Sequence, residues 1–371
     1  MRQAHLFVDI SSHGFGHLGQ TAPILNALAQ RLPTLRLTIR SGLPAESLRA
    51  RLQCGFTHIA AATDFGYIMS DADAIQVDLA ATATAYRTQH RDWAARVAAE
   101  SVFLSALHPD LVLSNVAYLP LAGAAQAGIP ALSLCSINWA DLFAHFFAAE
   151  PWAGPIYDDM LTAYRGAGCF LRLTPGMPMP ALPHVHRIGP VAALGSDCRA
   201  SVRAQLGCAE DEQLVLIAFG GFTKRLPVED WSTIANVRWL IPGDWQLTHP
   251  TVRAFEPLGR PFPDLLRAVD AVITKPGYGT FAEAACNGTP VLYVRRGDWP
   301  EQDCLIDWLR LNGRCSEISG DDLLAGRLRV ALDDLRQQPV TQPPAPGGAE
   351  EAAEVLYDRL YARLTAGSRS V

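Results

Sequence analysis

The feature that most constrains the fold of this chain is an alternation of short apolar runs with helical patterns. Five runs in the first half predict strands: His5–Ile10, Leu35–Arg40, Phe56–Ala61, Leu111–Ser114 and Ala131–Cys135. Helical patterns lie between them, and we predict one long helix over much of Leu79–Leu107. Strands that alternate with helices form βαβ units, whose parallel sheet is covered on both faces. The first half therefore predicts a doubly wound α/β domain.

A proline-rich stretch, Thr174–Val191, interrupts this alternation. Its five prolines prevent it from continuing a helix or a central strand, so it is the best candidate for a linker. The alternation restarts at Leu214–Phe219, and a second proline-rich stretch, Pro339–Gly348, precedes a last predicted helix. We therefore predict two doubly wound α/β domains that face each other across a cleft. The predicted segments are 1–185, 186–345 and a C-terminal segment, 346–371, that carries the last helix.

The composition argues against nucleic acid as a partner and against a disulfide framework. The formal net charge is −6 at pH 7, whereas nucleic-acid binding depends on basic surface that displaces counterions. The eight cysteines are scattered without a C-x-x-C pair, unlike those of a small disulfide scaffold or a zinc site. We interpret them as mostly reduced, buried thiols and expect a cytoplasmic protein.

No segment has the pattern of a targeting signal or of a membrane span. The apolar run Leu6–Ile10 is too short for the core of a signal peptide, and Asp9 interrupts it. The long uncharged stretch Val116–Ile137 contains Pro120 and Pro130 and divides better into a helix, a turn and a buried strand. The sequence thus predicts no transmembrane segment, while peripheral association with a membrane stays open.

A glycine loop with two histidines, HGFGHLGQ, follows the first predicted strand and leads into a helix. The carboxyl edge of a parallel sheet is where doubly wound proteins bind ligands, so we place His13, Gly16 and His17 at a ligand site. A histidine there can act as a general base near neutral pH. The alternative is that both histidines hydrogen-bond the loop backbone. The loop also spells G-x-G-x-x-G, but the next strand ends at Arg40 instead of an acidic residue, which argues against NAD.

A second glycine turn follows the predicted strand Ala271–Thr274. Gly277 and Gly279 permit close approach of a ligand, and Thr280 is predicted to cap the following helix. The exposed N–H groups and the positive helix end then form an anion site suited to a diphosphate. Glu283, one turn into the helix, can accept hydrogen bonds from vicinal hydroxyls. The alternative is that Glu283 only complements the helix dipole.

Three further segments end predicted strands with residues suited to ligands. Gly220 and Gly221 follow Leu214–Phe219, where paired glycines suggest close backbone approach. The strand Val291–Val294 runs into RRGDWPEQD, and a tryptophan inside such a charged cluster is unusual for a solvated loop, which is the alternative. In the first half, Trp139 and Asp141 follow a predicted strand within an aromatic segment. This segment is interpreted either as an acceptor pocket or as an ordinary helix packed against the sheet.

At these residues the chain resembles GT-B glycosyltransferases. The segment ITKPGYGTFAEAACNGTPVLYVRRGDWPEQ resembles the donor-binding signature of UDP-glycosyltransferases and of the bacterial N-acetylglucosaminyltransferase that makes lipid II. A closer resemblance is to the amino-terminal, glycosyltransferase-like half of plant L-arabinokinases, which shares HGFGH, a Phe-Gly-Gly strand end and K-x-GYGT-x-x-EA followed by VRR. The similarity extends from about residue 5 to about residue 310. It implies two Rossmann-like domains, with the last helix bracing the first domain.

The sugar-kinase half of the arabinokinases has no counterpart in these residues. The chain contains no glycine- and serine-rich phosphate loop of the kinase type. The resemblance therefore does not imply phosphorylation of arabinose.

The resemblance implies roles for individual residues. His17 matches the base that deprotonates the acceptor hydroxyl, and Glu283 matches the glutamate that holds the donor ribose. In place of the aspartate that orients this histidine in plant UDP-glycosyltransferases, the chain has Asn115. Asn115 can hold the imidazole but cannot stabilise its cation, and Asp9, Asp110 and Asp141 are open alternatives for that charge. Donor-site matches are Gly277, Gly279 and Thr280 for the diphosphate turn and Glu301 and Gln302 for the sugar. In the expected mechanism, Lys275 or an arginine adds positive charge at the diphosphate.

The expected function is an inverting transfer of a sugar from a nucleotide diphosphate sugar, preferably UDP-linked, to an unidentified acceptor hydroxyl. Retaining enzymes of this fold often carry E-x7-E, and the position eight before Glu283 is Lys275, which favours inversion. No cofactor and no metal are expected, although Asp71-Ala72-Asp73 spells the D-x-D of metal-dependent transferases. The alternatives are an enzyme similar to UDP-N-acetylglucosamine 2-epimerase and a non-catalytic module that binds sugar nucleotides.

Overall fold

The first sheet of the protein is parallel and places the carboxyl ends of its strands at one edge. The computed structural model describes residues 3–70, 76–220, 225–231 and 234–367. In this sheet the strand order is β3-β2-β1-β4-β5-β6-β7. The strands are β1 (His5–Ile10), β2 (Arg36–Arg40), β3 (Thr57–Ile59), β4 (Leu111–Asn115), β5 (Ala131–Cys135), β6 (Cys169–Arg172) and β7 (Val185–Arg187).

Helices connect the strands of this sheet, and β1 is an interior strand between β2 and β4. All six residues of β1 are buried, as expected for a strand with helices on both faces of its sheet. Ile10 at the end of β1 pairs with Asn115 at the end of β4. The loop that leaves β1 therefore starts beside Asn115. The connecting helices are α1 (Gly16–Arg31), α2 (Ala45–Arg51), α3 (Leu79–His90), α4 (Trp93–Leu107), α5 (Leu119–Gln126), α6 (Trp139–Phe147) and α7 (Ala153–Gly166).

The single long helix expected over Leu79–Leu107 is wrong, because the structure has two helices there. The chain bends after His90, whose ring stacks on Trp93 with ring centroids 4.8 Å apart. The ring nitrogens of His90 also lie 2.8 Å from the hydroxyl of Tyr118 and 3.0 Å from a carboxylate oxygen of Asp159. These contacts with other helices fix the bend between α3 and α4.

The second sheet is also parallel, with the order β10-β9-β8-β11-β12-β13. Its core contains three buried tryptophans, Trp231, Trp239 and Trp245. Short 3₁₀ helices occupy Val228–Asp230, Gly243–Trp245 and Glu256–Leu258. The strands are β8 (Gln213–Ile217), β9 (Val237–Ile241), β10 (Val252–Ala254), β11 (Ala271–Thr274), β12 (Val291–Tyr293) and β13 (Cys315–Glu317). The helices are α8 (Arg199–Leu206), α9 (Phe262–Ala268), α10 (Tyr278–Asn287), α11 (Glu301–Asn312), α12 (Gly320–Leu324), α13 (Arg329–Gln337) and the last helix, α14 (Gly348–Gly367).

The described residues divide into two compact units, and the chain passes from one to the other after Val191. The first unit contains the first sheet and also α14, which packs against α1. An ion pair of 2.9 Å joins Arg31 of α1 to Glu350 of α14, and the carboxylate of Glu351 accepts a hydrogen bond from the backbone of Gly189. The second unit contains the second sheet. Among the described residues, no helix combines the length and the apolar character that crossing a membrane requires.

Candidate functional site

The loop between β1 and α1 turns tightly at the carboxyl edge of the first sheet. The backbone N–H of Ser11 donates to the carbonyl of Asn115 at 2.6 Å, and Gly14 has φ +79°, a left-handed conformation that favours glycine. The helix begins at Gly16 without a side-chain cap at its N-terminus. His17 is the second residue of α1, and its side chain is only 6% exposed. The loop therefore delivers His17 to the end of β4.

Asn115 holds the imidazole of His17 and fixes its tautomer. Nδ1 of His17 lies 2.9 Å from Oδ1 of Asn115. The amide nitrogen of Asn115 donates to Oγ1 of Thr21 at 2.8 Å, to Oε1 of Gln20 at 3.2 Å and to the carbonyl of His17 at 3.4 Å. Because Thr21 donates its own hydrogen to the carbonyl of His17, its hydroxyl oxygen can accept. This network orients the amide oxygen towards His17, so Nδ1 carries the proton and Nε2 is the basic nitrogen.

Three further buried polar residues complete this network, and sequence reasoning missed all three. Gln20 donates from Nε2 to Oγ of Ser136 at 3.0 Å and accepts from Sγ of Cys135 at 3.1 Å. The same sulfur lies 3.7 Å from Nδ1 of His17. The sequence does indicate the positions of two of these residues. Cys135 is the last residue of a buried strand, and Gln20 follows His17 by about one helical turn.

Trp139 lies in the interior beside both histidines of the loop. Its side chain is fully buried, and its ring makes edge contacts with His13 and His17 at centroid distances of 5.7 and 5.8 Å. Nε1 of Trp139 donates to Asp64 at 2.7 Å, and the other carboxylate oxygen of Asp64 accepts from Ser11 at 3.0 Å. Burial raises the pKa of Asp64. Sequence reasoning did not assign a role to Asp64, which links the histidine loop to α6.

The three aspartates offered as alternatives to Asn115 have other partners. Asp9 accepts from Nε of Arg40 at 2.6 Å and from the hydroxyl of Thr63 at 2.8 Å. Asp110 accepts from the backbone of His5 at 2.9 Å, at the start of β4 and so at the opposite edge of the sheet from Asn115. Asp141 accepts from Asn138 in the first turn of α6.

In the second unit, helix α10 begins earlier than the sequence suggested. Gly277 is the residue before the helix, no side chain caps the N-terminus, and Thr280 is the third helical residue. The expectation that Thr280 caps the helix is therefore wrong, because the turn after Pro276 already has helical geometry from Tyr278 onward. A Cβ added to Gly279 would meet nothing within 4 Å, so packing inside the protein does not require glycine there. The start of a helix is in general a favourable position for an anion.

The acidic and amide residues of the predicted donor site are buried. Glu283, Glu301 and Gln302 are 8%, 7% and 8% exposed. Gln302 accepts from the backbone of Arg296 at 3.0 Å and donates to the carbonyl of Gly297 at 2.9 Å. Glu301 accepts from Nε1 of the buried Trp299 at 3.3 Å. The side chains at the start of α11 thus shape the loop that follows β12.

Two cations lie at this edge of the second sheet. Burial, followed by repulsion from Arg296, lowers the pKa of Lys275 to about 8. The guanidinium carbon of Arg296 lies 4.2 Å from the ring centroid of Trp299. Gly220, with φ +65°, ends the turn after β8 and is exposed. Gly221 lies outside the described residues.

Among the described residues, no three or more histidines, cysteines, aspartates and glutamates are grouped as a metal ion would require. Asp71 and Asp73 of the D-x-D sequence lie outside the described residues.

A comparison with known sequences finds a likeness to one part of a longer enzyme. No protein-family model matches the chain. The chain is 26% identical over 365 residues to L-arabinokinase from Arabidopsis thaliana. The likeness covers 97% of this chain and 35% of that protein, so the chain spans about a third of the length of this curated relative.

Solved structures of glycosyltransferases match nearly the whole chain. The glycotransferase of kitacinnamycin aligns with a TM-score of 0.62 and 16% identity, over 98% of this chain and 96% of that chain. VinC in complex with DTDP aligns with a TM-score of 0.54 and 18% identity, over 98% of each chain. UGT89C1 from Arabidopsis thaliana complexed with UDP aligns with a TM-score of 0.55 and 18% identity, over 96% of this chain and 100% of that chain. These likenesses and the two parallel, doubly wound sheets confirm the predicted GT-B fold with its two Rossmann-like domains.

Proposed function

We propose that the protein is an inverting glycosyltransferase that transfers a sugar from a nucleotide diphosphate sugar to an acceptor hydroxyl. The observation that carries the proposal is the bond of 2.9 Å between Nδ1 of His17 and Oδ1 of Asn115. Because Asn115 keeps the proton on Nδ1, the basic nitrogen is Nε2, which can accept the proton of an acceptor. The fold supports this assignment by analogy with the enzymes that share it.

The reaction takes place in a single displacement. The acceptor oxygen forms a bond to the anomeric carbon while the bond from that carbon to the diphosphate oxygen breaks, which inverts the configuration. The acceptor proton passes to Nε2 of His17, and the nucleoside diphosphate leaves with the electron pair. The N–H groups at the start of α10 stabilise the charge on the leaving group, and Lys275 adds a positive charge. The scheme uses no metal and no further cofactor.

UDP is the preferred nucleotide in this proposal. Two structural neighbours were solved with UDP and with DTDP, and both nucleotides carry a pyrimidine base and a diphosphate. Glu283, buried one turn after the start of α10, is assigned to the ribose hydroxyls. A ribose carries two vicinal hydroxyls and a deoxyribose does not, so this assignment favours UDP over DTDP.

The test combines nucleotide binding with turnover of the donor. Calorimetry measures the affinity of UDP, DTDP, GDP and ADP for the wild type, His17→Gln, Glu283→Gln and the control His184→Gln, which changes an exposed histidine of the first unit. Release of UDP from UDP-glucose and UDP-N-acetylglucosamine is then followed with a panel of hydroxyl acceptors and with water. We expect His17→Gln to keep the affinity for UDP and to lose about 10²- to 10⁴-fold in release of UDP, because a general base contributes about that much.

The results separate the transferase from its alternatives. Equal release of UDP by the wild type and His17→Gln would overturn the role of His17 as base. Tight binding of UDP without turnover of any donor by the wild type would instead establish a binding module, which the neutral side chain of Asn115 favours. If no nucleotide binds the wild type, the transferase proposal fails.

A further inference from the structure

A short segment of the first unit, residues 63–68, lies against the histidine loop. The carbonyl of Gly66 accepts a hydrogen bond from the hydroxyl of Tyr86 at 3.0 Å, which ties the segment to α3. Gly66 has φ +63°, and a Cβ added to it would lie 2.5 Å from Cγ of His13. The backbone of this segment therefore approaches the ring of His13 more closely than a side chain at position 66 would allow. Asp64 lies within the segment, two residues before this contact.

The carboxylate of Asp64 joins two elements that are far apart in the chain. One oxygen accepts from Nε1 of Trp139 at 2.7 Å, and the other accepts from the hydroxyl of Ser11 at 3.0 Å. Ser11 directly follows β1, and Trp139 is the first residue of α6. Hydrogen bonds to a carboxylate are shorter and stronger than bonds between neutral groups. Asp64 thus connects the start of the histidine loop to the start of α6.

Trp139 carries this constraint to the ring of His17. The backbone N–H of Trp139 donates to the hydroxyl of Tyr164 at 3.1 Å, and this hydroxyl donates to the carbonyl of Val116 at 2.7 Å. These bonds fix the backbone of Trp139 without Asp64. The indole has one donor, Nε1, and this donor is bound to Asp64. Because the ring of Trp139 makes an edge contact with the imidazole of His17 at a centroid distance of 5.8 Å, a shift of the indole would change the support of that imidazole.

We propose that Asp64 is a positioning residue of the transfer reaction, and that it holds the imidazole of His17 in its productive orientation through the ring of Trp139. The inference rests on the proposed function, since it concerns the base of the same reaction. Asp64 acts without touching the substrate, because a displacement of a reacting group by about 1 Å can slow an enzyme about 10²-fold.

The proposed role depends on the geometry of the two hydrogen bonds and not on the charge of Asp64. An amide at position 64 can make both bonds. Its oxygen accepts from Nε1 of Trp139, and its nitrogen donates to the hydroxyl of Ser11, which can accept as well as donate. Asp64→Asn should therefore keep the orientation of His17, whereas Asp64→Ala removes both bonds.

The experiment compares the steady-state release of UDP by the wild type, Asp64→Ala, Asp64→Asn and the matched control Asp78→Ala. The donor is UDP-glucose or UDP-N-acetylglucosamine, with the acceptor that the wild type uses. Asp78 is exposed and caps α3 through a bond of 2.9 Å to the backbone of Ala81, so the control removes a carboxylate bond away from the histidine loop. We expect Asp64→Ala to lower kcat about 10- to 100-fold and to leave KM for the donor unchanged. Asp64→Asn and Asp78→Ala should keep kcat within about threefold of the wild type.

A double-mutant cycle tests whether Asp64 acts through Trp139. Trp139→Phe removes Nε1 and keeps an aromatic ring, so it breaks the same bond from the other side. We expect the double variant Asp64→Ala with Trp139→Phe to be no slower than the slower single variant, because the two changes remove one shared interaction. Losses in kcat that multiply in the double variant would refute the path through Trp139.

The outcomes separate this inference from the proposed function. An unchanged kcat in Asp64→Ala, with a wild type that releases UDP, refutes the positioning role and leaves the transferase standing. Equal losses in Asp64→Asn and Asp64→Ala would show that the charge of Asp64 matters, which also refutes a role in geometry. Thermal unfolding confirms that each variant is folded at the temperature of the assay.

A measurement without turnover tests the same inference. In ¹⁵N spectra of the histidine rings, the signals of His17 are identified by their loss in His17→Gln. We expect Asp64→Ala to shift these signals towards those of a mixture of tautomers, because a less well supported ring is held less firmly by Asn115, and Asp64→Asn to leave them in place. If the wild type turns over no donor, the proposed function fails, and unchanged signals in Asp64→Ala would then overturn the positioning role as well.

Discussion

Replacing Asn115 by aspartate tests how the imidazole of His17 is held. The substitution keeps the shape of a fully buried side chain and exchanges its amide nitrogen for an oxygen. It removes the hydrogen bonds that this nitrogen donates to Thr21 at 2.8 Å and to Gln20 at 3.2 Å. It also places a carboxylate against Nδ1 of His17, where the wild type has a neutral amide oxygen.

The expected decrease in the free energy of unfolding depends on pH, because the new carboxylate favours the imidazolium form of His17. Loss of two neutral hydrogen bonds destabilises the folded state by about 1–3 kcal/mol. At pH 6 a protonated His17 makes a charge-assisted bond to Asn115→Asp, worth about 1.5–3 kcal/mol, which offsets most of that loss. The contribution of the imidazolium is present at low pH and disappears as the pH rises and the ring loses its proton. We therefore expect destabilisation by about 1 kcal/mol at pH 6 and about 3 kcal/mol at pH 9.

Urea unfolding at the two pH values, followed by tryptophan fluorescence and circular dichroism, measures this difference. The double variant His17→Gln with Asn115→Asp is the control, since it removes the titrating ring and should lose the difference between pH 6 and pH 9. A destabilisation by Asn115→Asp that is equal at both pH values would refute the contact between residues 17 and 115. Because an imidazolium cannot accept a proton, release of UDP by Asn115→Asp should also require a higher pH than in the wild type.

Two further substitutions test charges elsewhere in the molecule. Arg40→Met leaves the carboxylates of Asp9 and Glu100 buried without their cation, so thermal unfolding at pH 8 should show a loss of about 3–5 kcal/mol. Burial raises the pKa of Asp9 to about 6 although Arg40 lowers it, so without Arg40 the pKa of Asp9 is higher still, and the loss should shrink as the pH falls from 8 towards 6. A loss that does not change over this range would contradict the assignment. For Lys275→Met, calorimetry should find weaker UDP binding than in the wild type, with an affinity that does not vary between pH 7.5 and 9.5. The affinity of the wild type for UDP should fall over the same range, because Lys275, with its pKa of about 8, loses its proton. Parallel pH profiles of wild type and variant would exclude Lys275 from the anion site.

The alternation of strands and helices was readable from the sequence because buried parallel strands are apolar throughout and end at glycine or polar residues. Elements that combine apolar residues with charged residues or prolines were not predicted. Helix α11 (Glu301–Asn312) begins at the end of the charged segment RRGDWPEQD and was not predicted, and most of its charged residues are exposed while Glu301 is buried. Strand β7 (Val185–Arg187) lies within the proline-rich stretch, where an edge strand tolerates nearby prolines that a central strand would not.

The histidine loop and the glycine turn were found because each is a local pattern. Their partners were not, because the contacts join residues far apart in the chain. Trp139 meets Asp64 across 75 positions, and His17 meets Asn115 across 98. The position of Asn115 was noticed through the resemblance, but the hydrogen bonds of its amide group depend on where α1 and β4 lie in the fold. No pattern in either segment carries that information.

The two candidate sites have the same backbone construction but different charges. Each lies where a glycine loop joins a parallel strand to a helix, at the carboxyl edge of its sheet. In the first unit, His17 is held by a neutral amide. In the second unit, Lys275 follows β11 and Arg296 lies in the loop after the neighbouring strand β12, so two positive charges lie at the same edge of the sheet. In the proposed reaction, negative charge accumulates on the diphosphate, so strong positive charge is useful there. A neutral partner for His17 instead weakens the base, because it gives no support to the imidazolium. The transfer should therefore depend more on stabilising the leaving group than on removing the proton of the acceptor, so Lys275→Met should slow release of UDP even at saturating donor.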